Sequence, residues 1–308
     1  MEASFNITYI TLDGYIQVQK YKYVYFFIML TAYIVIMSCN STIVCLIVTT
    51  KNLHEPMYIF IAALLMNSVL FSTNIYPKLF MDVLSESQVI SYSACLFQWF
   101  IYYSLGGSEF LLLAAMSYDR YVSICKPLQY PTIMRKRNIS FILLVDWLLP
   151  VCQFAPSIAL NANTKLCNFT FRGIICNSTV VRLYCVSPRE QNIYGLVCLV
   201  NILLLPVLFI FFTYTRILIT SYQSCRAVRR KAVQTCLPHL LVLFNFSCLS
   251  AYDILLVRLE THFPKTMSLI MTLQVILYHP LFNPIIYGLK MREISKHLKR
   301  LFCPEKII

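Results

Sequence analysis

Within one largely apolar stretch, from Cys95 to Tyr130, polar and ionisable side chains fall where a helix would align them. Gln98, Tyr102, Gly106, Glu109, Leu113, Met116 and Arg120 follow at steps of three or four residues, which keeps all seven on one face of an α-helix. That face carries a carboxylate at mid-length and, within Asp119-Arg120-Tyr121, a guanidinium at its end. At 1.5 Å per residue the stripe spans roughly 33 Å, close to the thickness of a bilayer's hydrocarbon core. Charges near hydrocarbon are expensive and call for partners or water, so the chemistry on offer is ion pairing and hydrogen bonding. Nothing in the chain resembles a nucleophile triad, a phosphate-cradling glycine loop or a metal cluster, and no covalent catalysis or cofactor is expected.

The composition agrees with a membrane environment. The 308 residues are 58% hydrophobic and 13% charged, with 6 glycines, far from the average soluble domain. Seven apolar segments are long enough to cross a bilayer, at about 23–49, 57–81, 91–123, 138–160, 192–220, 232–259 and 266–289. The expected fold is an all-α bundle of seven transmembrane helices (23–290), preceded by an outer tail (1–22) and followed by a short segment (291–308). In that last segment Ile294, His297, Leu298 and Leu301 share one side, with basic residues elsewhere, as in a helix lying on the membrane. Pro56 suits the first turn of the second span, and Pro150 marks a kink in the fourth. No removable signal peptide is expected at the start.

Orientation follows from two independent signals. Asn6, Asn168 and Asn177 each open an N-x-S/T acceptor for glycosylation, which is useful only on the outer side. With the N-terminus outside, most of the 26 lysines and arginines fall at inner ends and inner loops, as the positive-inside rule requires. Topology thus explains the net charge of +13, and nucleic-acid binding is not expected. Of the 13 cysteines, Cys167, Cys176 and Cys185 share the long outer loop (161–191) and Cys95 lies at the outer end of the third span. Four cysteines in an oxidising space permit three pairings. Asn40 and Asp146, both within spans, are expected to bond neighbouring helices, although a ligand or ion role for Asp146 stays open.

Four motifs go beyond pattern: LHEPMY at 53–58, MSYDRYVSICKPLQY at 116–130, KAVQTCLPHL at 231–240 and PLFNPIIY at 280–287. On these the chain resembles rhodopsin-like (class A) G-protein-coupled receptors, and within them the odorant receptors, of fish type. The likeness covers all seven spans; the second and third motifs are the more specific.

The resemblance implies a set of roles. Arg120, held by Asp119 and followed by Tyr121, would be released toward a G protein on activation; Tyr214, Asn283, Pro284 and Tyr287 would line the rearranged inner core. It implies pairing of Cys95 with Cys176 and of Cys167 with Cys185, and palmitoylation of Cys303. It also implies a small-molecule odorant as ligand, a heterotrimeric stimulatory (olfactory-type) G protein as partner, and a multi-pass protein of the plasma membrane, in the cilia of olfactory neurons. The ligand pocket would lie in the outer half, with Gln98, Tyr102, Tyr103, Gly106 and Gly107 on the third span, Ser250, Ile254 and Arg258 on the sixth, and Gln274 and Tyr278 on the seventh. Arg258 would pair an anionic ligand, or else snorkel outward or pair with Asp253 or Glu260.

Two departures stand out. Where the family usually carries an acid in the second span this chain has Ser68, beside Asn67, so Glu109 either binds sodium weakly with Ser68, Asn67 and water, or sits protonated or structurally bonded. Phe246-Ser247 replaces an aromatic pair of many mammalian relatives. A receptor of the same class for a hormone or lipid, and a channel or transporter, are the rival readings.

Overall fold

The structure, a computed structural model, describes residues 8–162, 164–186, 189–223, 236–248, 250–251 and 264–302. Asn6, Ile254, Arg258 and Cys303 therefore lie outside the described residues. In chain order the helices are α1 (Val18–Thr49), α2 (Pro56–Leu84), α3 (Tyr92–Cys125), the one-turn α4 (Tyr130–Ile133), α5 (Lys136–Ala162), α6 (Arg189–Leu199), α7 (Leu205–Tyr222), α8 (Cys236–Cys248), α9 (Lys265–Lys290) and α10 (Arg292–Phe302). A π-helical turn, Val200–Leu204, fuses α6 to α7, so that Arg189–Tyr222 is one span.

Seven membrane-spanning segments result: α1, α2, α3, α5, α6 with α7, α8 and α9. Five of them are long and apolar enough to cross a bilayer by length and hydropathy alone. α3 is the longest single helix, at 34 residues, but it buries Gln98, Ser104, Ser108, Glu109, Ser117 and Asp119 against its neighbours. The α8 segment is the described part of the expected sixth span. Large side chains such as Phe27, Phe141, Leu208 and Phe211 stay exposed on the bundle's rim, as a lipid-facing surface allows and water would not.

Prolines shape the spans, and side chains repair what they break. Pro284 lacks the N–H that would bond the Pro280 carbonyl, and Asn40 Nδ2 donates to that oxygen from α1 at 3.0 Å. Pro280 likewise frees the Ile276 carbonyl, which accepts from Tyr76 Oη of α2 at 3.5 Å. The expected helix-to-helix bond of Asn40 thus has a specific target. The π turn lies just before Pro206, a place where the helix ladder is already interrupted.

The end that carries the N-terminus, called outer here in keeping with the expected orientation, is tied down more than a polar tail would be. β1 (Tyr9–Leu12) pairs antiparallel with β2 (Val89–Ser91) and parallel with β3 (Thr170–Phe171). α1 begins at Val18, earlier than residue 23. Disulfides join Cys95 to Cys176 and Cys167 to Cys185, the pairing the resemblance implied. A small apolar core of Ile10, Leu12, Ile90, Phe171 and Val180 fills the space beneath the sheet. At the opposite end α10 lays Ile294 against α1 and α9, and its basic residues point away from that contact.

Candidate functional site

In the outer half of the bundle α3, α5, α6 and the π turn surround a cavity of about 210 Å³. Tyr102, Tyr103, Gly106, Gly107 and Ser250, five of the residues expected there, line it. Seven aromatic residues are part of its wall. Trp99 meets Tyr103 edge-on at 6.3 Å, Tyr103 lies 5.7 Å from Phe154, Tyr102 lies 5.2 Å from Phe71, and Phe110 lies 4.6 Å from Phe246 between centroids. Such tilted and edge-on contacts pre-form an aromatic box. The long outer loop closes over it: Tyr103 Oη and Ser178 Oγ share a 2.6 Å hydrogen bond, and the Ser178 amide donates to the same phenol oxygen at 3.2 Å. The Cys95–Cys176 disulfide fixes the loop two residues before that contact.

Gln98, Gln274 and Tyr278 do not join this cavity. Gln98 Oε1 accepts from the Cys176 amide at 2.9 Å, so its carboxamide clamps the loop instead of facing a ligand. On α9, Gln274 and Tyr278 point outward, with Tyr278 55% exposed and stacked on Phe282. The inward positions belong to their neighbours, Val275 at the cavity and His279 beneath it. Among the described residues the lining is neutral.

Sequence reasoning missed Trp99, Phe110, Phe154 and Ser157. Starting the α3 stripe at residue 99 in place of 98 would have caught Trp99, Tyr103 and Phe110 together. Phe154 and Ser157 share a face of α5 at a step of three, a signal that was legible.

Below the cavity lies a buried polar layer centred on Glu109. Its carboxylate accepts from His279 Nε2 at 2.6 Å, from Asn283 Nδ2 at 3.1 Å and from Asn67 Nδ2 at 3.5 Å. Asn283 Nδ2 also reaches Ser68 Oγ at 3.1 Å. Three nitrogen donors thus surround the Glu109 carboxylate, beside the Ser68 and Asn67 expected to share a sodium site with it. Among the described residues no group of three or more His, Cys, Asp or Glu side chains could hold a metal ion. The principal partner of Glu109, His279, was missed. His279, Asn283 and Tyr287 recur at steps of four on α9, which was a readable stripe.

At the inner end Asp119 is fully buried and accepts from Arg120, its neighbour in sequence, and from Tyr130 Oη of α4 at 2.9 Å. Burial first, and then the negative charge of Asp119, push the Tyr130 phenol above its usual range, so it stays a neutral donor. Tyr287 and Tyr214 are buried near this pair, and Tyr287 Oη lies 3.4 Å from His239 Nδ1. Tyr121 packs under Lys126, whose Nζ sits 5.8 Å from the ring centre. Of the acceptor asparagines that are described, Asn168 and Asn177 both turn their Oδ1 to the backbone N–H two residues on, at 2.9 and 3.1 Å.

A seven-helix bundle with an outer cavity and an inner Asp-Arg pair has the rhodopsin fold. A crystal structure of squid rhodopsin superposes on 93% of this chain and 82% of its own, with a TM-score of 0.74 at 18% sequence identity. The family is more specific: the olfactory receptor family model matches residues 28–305, and the chain belongs to that family. Human olfactory receptor 11A1 is 32% identical over 301 residues, 97% of this chain and 95% of its own length. Human olfactory receptor 51E1 is 30% identical over 299 residues, 96% and 94% of the two chains. These relatives are human and do not speak to a fish type. The chain is accordingly a G-protein-coupled odorant receptor, a multi-pass membrane protein and not an enzyme.

Proposed function

We propose that an odorant entering the aromatic cavity biases the bundle toward a state in which Arg120 leaves Asp119 and a stimulatory, olfactory-type G protein docks at the inner end. The observation that carries this reading is the Asp119 carboxylate, which holds Arg120 and Tyr130 at once and so ties α3 to α4 at the inner surface. Ligand energy acts only as far as it favours one state over the other. The path between the two ends runs through rings in contact: Phe246 stacks on His279 at 4.5 Å and Phe71 meets it edge-on at 5.8 Å, while His279 is bonded to Glu109. Movement of α8 or α9 around a ligand is then felt at Asn283, Pro284 and Tyr287 on the same helix.

The site of action is the plasma membrane, in the cilia of olfactory neurons. The tail and long loop face outward, and Asn6, Asn168 and Asn177 accept glycans there. Cys303, just beyond α10, takes a palmitoyl group that adds to the lipid contact of that helix.

The test is cyclic AMP accumulation in cells that express the receptor at their surface with a stimulatory G protein. Arg120→Ala removes the ligand response while ligand still protects the receptor against thermal unfolding. A response that survives Arg120→Ala, or a ligand-gated current without any G protein, would sink the proposal and favour a channel.

A further inference from the structure

Two adjacent glycines on α3 have opposite surroundings. A Cβ on Gly107 would lie 2.7 Å from Ile202 Cγ2 and 3.0 Å from Pro150 Cβ, so close approach of α5 and the π turn requires glycine there. A Cβ on Gly106 would meet nothing within 4 Å among the described residues, although Gly106 lines the cavity. Neither glycine has a positive φ. Glycine weakens a helix interior relative to alanine, and at 106 neither backbone nor packing demands it. What the missing side chain leaves is space in the cavity.

That space has a definite character. Its volume is about 210 Å³, against the roughly 150 Å³ of a dry apolar cavity that accommodates benzene. Seven rings line it, those of Phe71, Trp99, Tyr102, Tyr103, Phe110, Phe154 and Phe246, and the hydroxyls of Ser157, Ser178 and Ser250 are among its polar points. Aromatic walls favour another ring, set edge-on or offset. A carboxylate or ammonium would shed its hydration among described side chains that are all neutral, a steep cost without an opposite charge.

We propose that the cavity takes a neutral, single-ring molecule of roughly eight to twelve non-hydrogen atoms with one hydroxyl or carbonyl group, and that Gly106 sets its size limit. This rests on the reading of the aromatic cavity as the odorant site. The ring packs among the aromatic side chains and the oxygen exchanges a hydrogen bond with a serine hydroxyl. Gly106 selects by volume, because no described residue stands where its side chain would be.

The experiment measures cyclic AMP in cells bearing an epitope-tagged receptor, with surface signal read on the same cells. The panel holds monocyclic aromatic alcohols, aldehydes and ketones of graded size, beside carboxylates, amines and amino acids of matched size. Wild type responds to the neutral ring compounds. Gly106→Ala reaches the surface normally and loses at least tenfold in sensitivity to the largest responders, while the smallest are unaffected or improved. Gly106→Leu loses the response to all ring compounds at unchanged surface signal. Gly107→Ala, by contrast, lowers surface signal without changing the size ranking. Responses to charged compounds alone that still depend on Gly106 would overturn the ligand class and keep the cavity. Responses of any kind that ignore Gly106→Leu would overturn the cavity as the site, and silence of the surface-expressed wild type to every neutral ring compound would overturn the ligand class.

Discussion

The box of Trp99, Tyr103 and Phe154 and the layer of Glu109, His279 and Asn283 beneath it meet through two rings, Phe71 and Phe246, yet they hold their shape by different means. The box is held mainly by ring contacts, with one hydrogen-bonded corner at Tyr103 and Ser178, and leaves a space, so most of its members tolerate a change of partner. The layer is held by directional bonds to a carboxylate that is 1% exposed, and it leaves no room for exchange. A receptor needs both properties: an adaptable surface that reads shape, and beneath it an element with few alternative arrangements. The shared rings put the two in mechanical contact.

The comparison breaks most severely at the buried Glu109–His279 hydrogen bond. Glu109→Gln or His279→Ala strands one buried partner, and a buried polar group left without its hydrogen bond costs about 1–3 kcal/mol, more when it is charged. Either variant should lose most of its surface expression and its thermal stability in detergent, whereas a double Glu109→Gln/His279→Gln variant, in which two neutral amides can bond, recovers part of it. A single substitution that costs under about 1 kcal/mol would show that the layer is as tolerant as the box.

Next in size is the carbonyl that Pro284 orphans. Asn40→Leu leaves the Pro280 oxygen buried without its donor, at about 1–3 kcal/mol. Melting in detergent measures it, and because the bond ties α1 to the bend of α9, basal cyclic AMP should change as well. A stability loss with no change in basal signal would mean that α1 only supports the layer. Tyr130→Phe removes one of the two donors on Asp119 and should raise basal signal severalfold with little loss of surface expression; an unchanged basal signal would leave Arg120 as the only tie that matters.

How much of this was legible in the sequence differs between the two layers for a physical reason. Span number and the disulfide cysteines follow from bilayer thickness and family motifs, both of which are one-dimensional. The α3 part of the cavity was readable because Tyr102, Tyr103, Gly106 and Gly107 sit on a helix with a clear polar stripe. On α9 the same method chose Gln274 and Tyr278 by their polarity, and the helix turned their neighbours Val275 and His279 inward instead. The partner of Glu109 lay 170 residues away in sequence, and no helical period on one span reports which residue of another span it will face. The π turn before Pro206, which brings Ile202 to the cavity, changes the phase of its own helix and so defeats periodicity altogether.

The smallest effect tests the box where it is polar. Ser157 lines the cavity from α5, directly after Pro156. Ser157→Ala removes one hydroxyl from the cavity wall, so stability should move by less than about 0.5 kcal/mol. Ligand response should move more than stability does. A hydrogen bond between neutral groups is worth about 0.5–1.5 kcal/mol, or roughly a twofold to tenfold loss in sensitivity for a ligand that uses this hydroxyl. A ring compound without oxygen should show no loss at all. Concentration–response curves for matched pairs of ligands, with and without the hydroxyl, separate these outcomes, and equal losses for both members would mean that Ser157 acts through the shape of α5 and not through a bond.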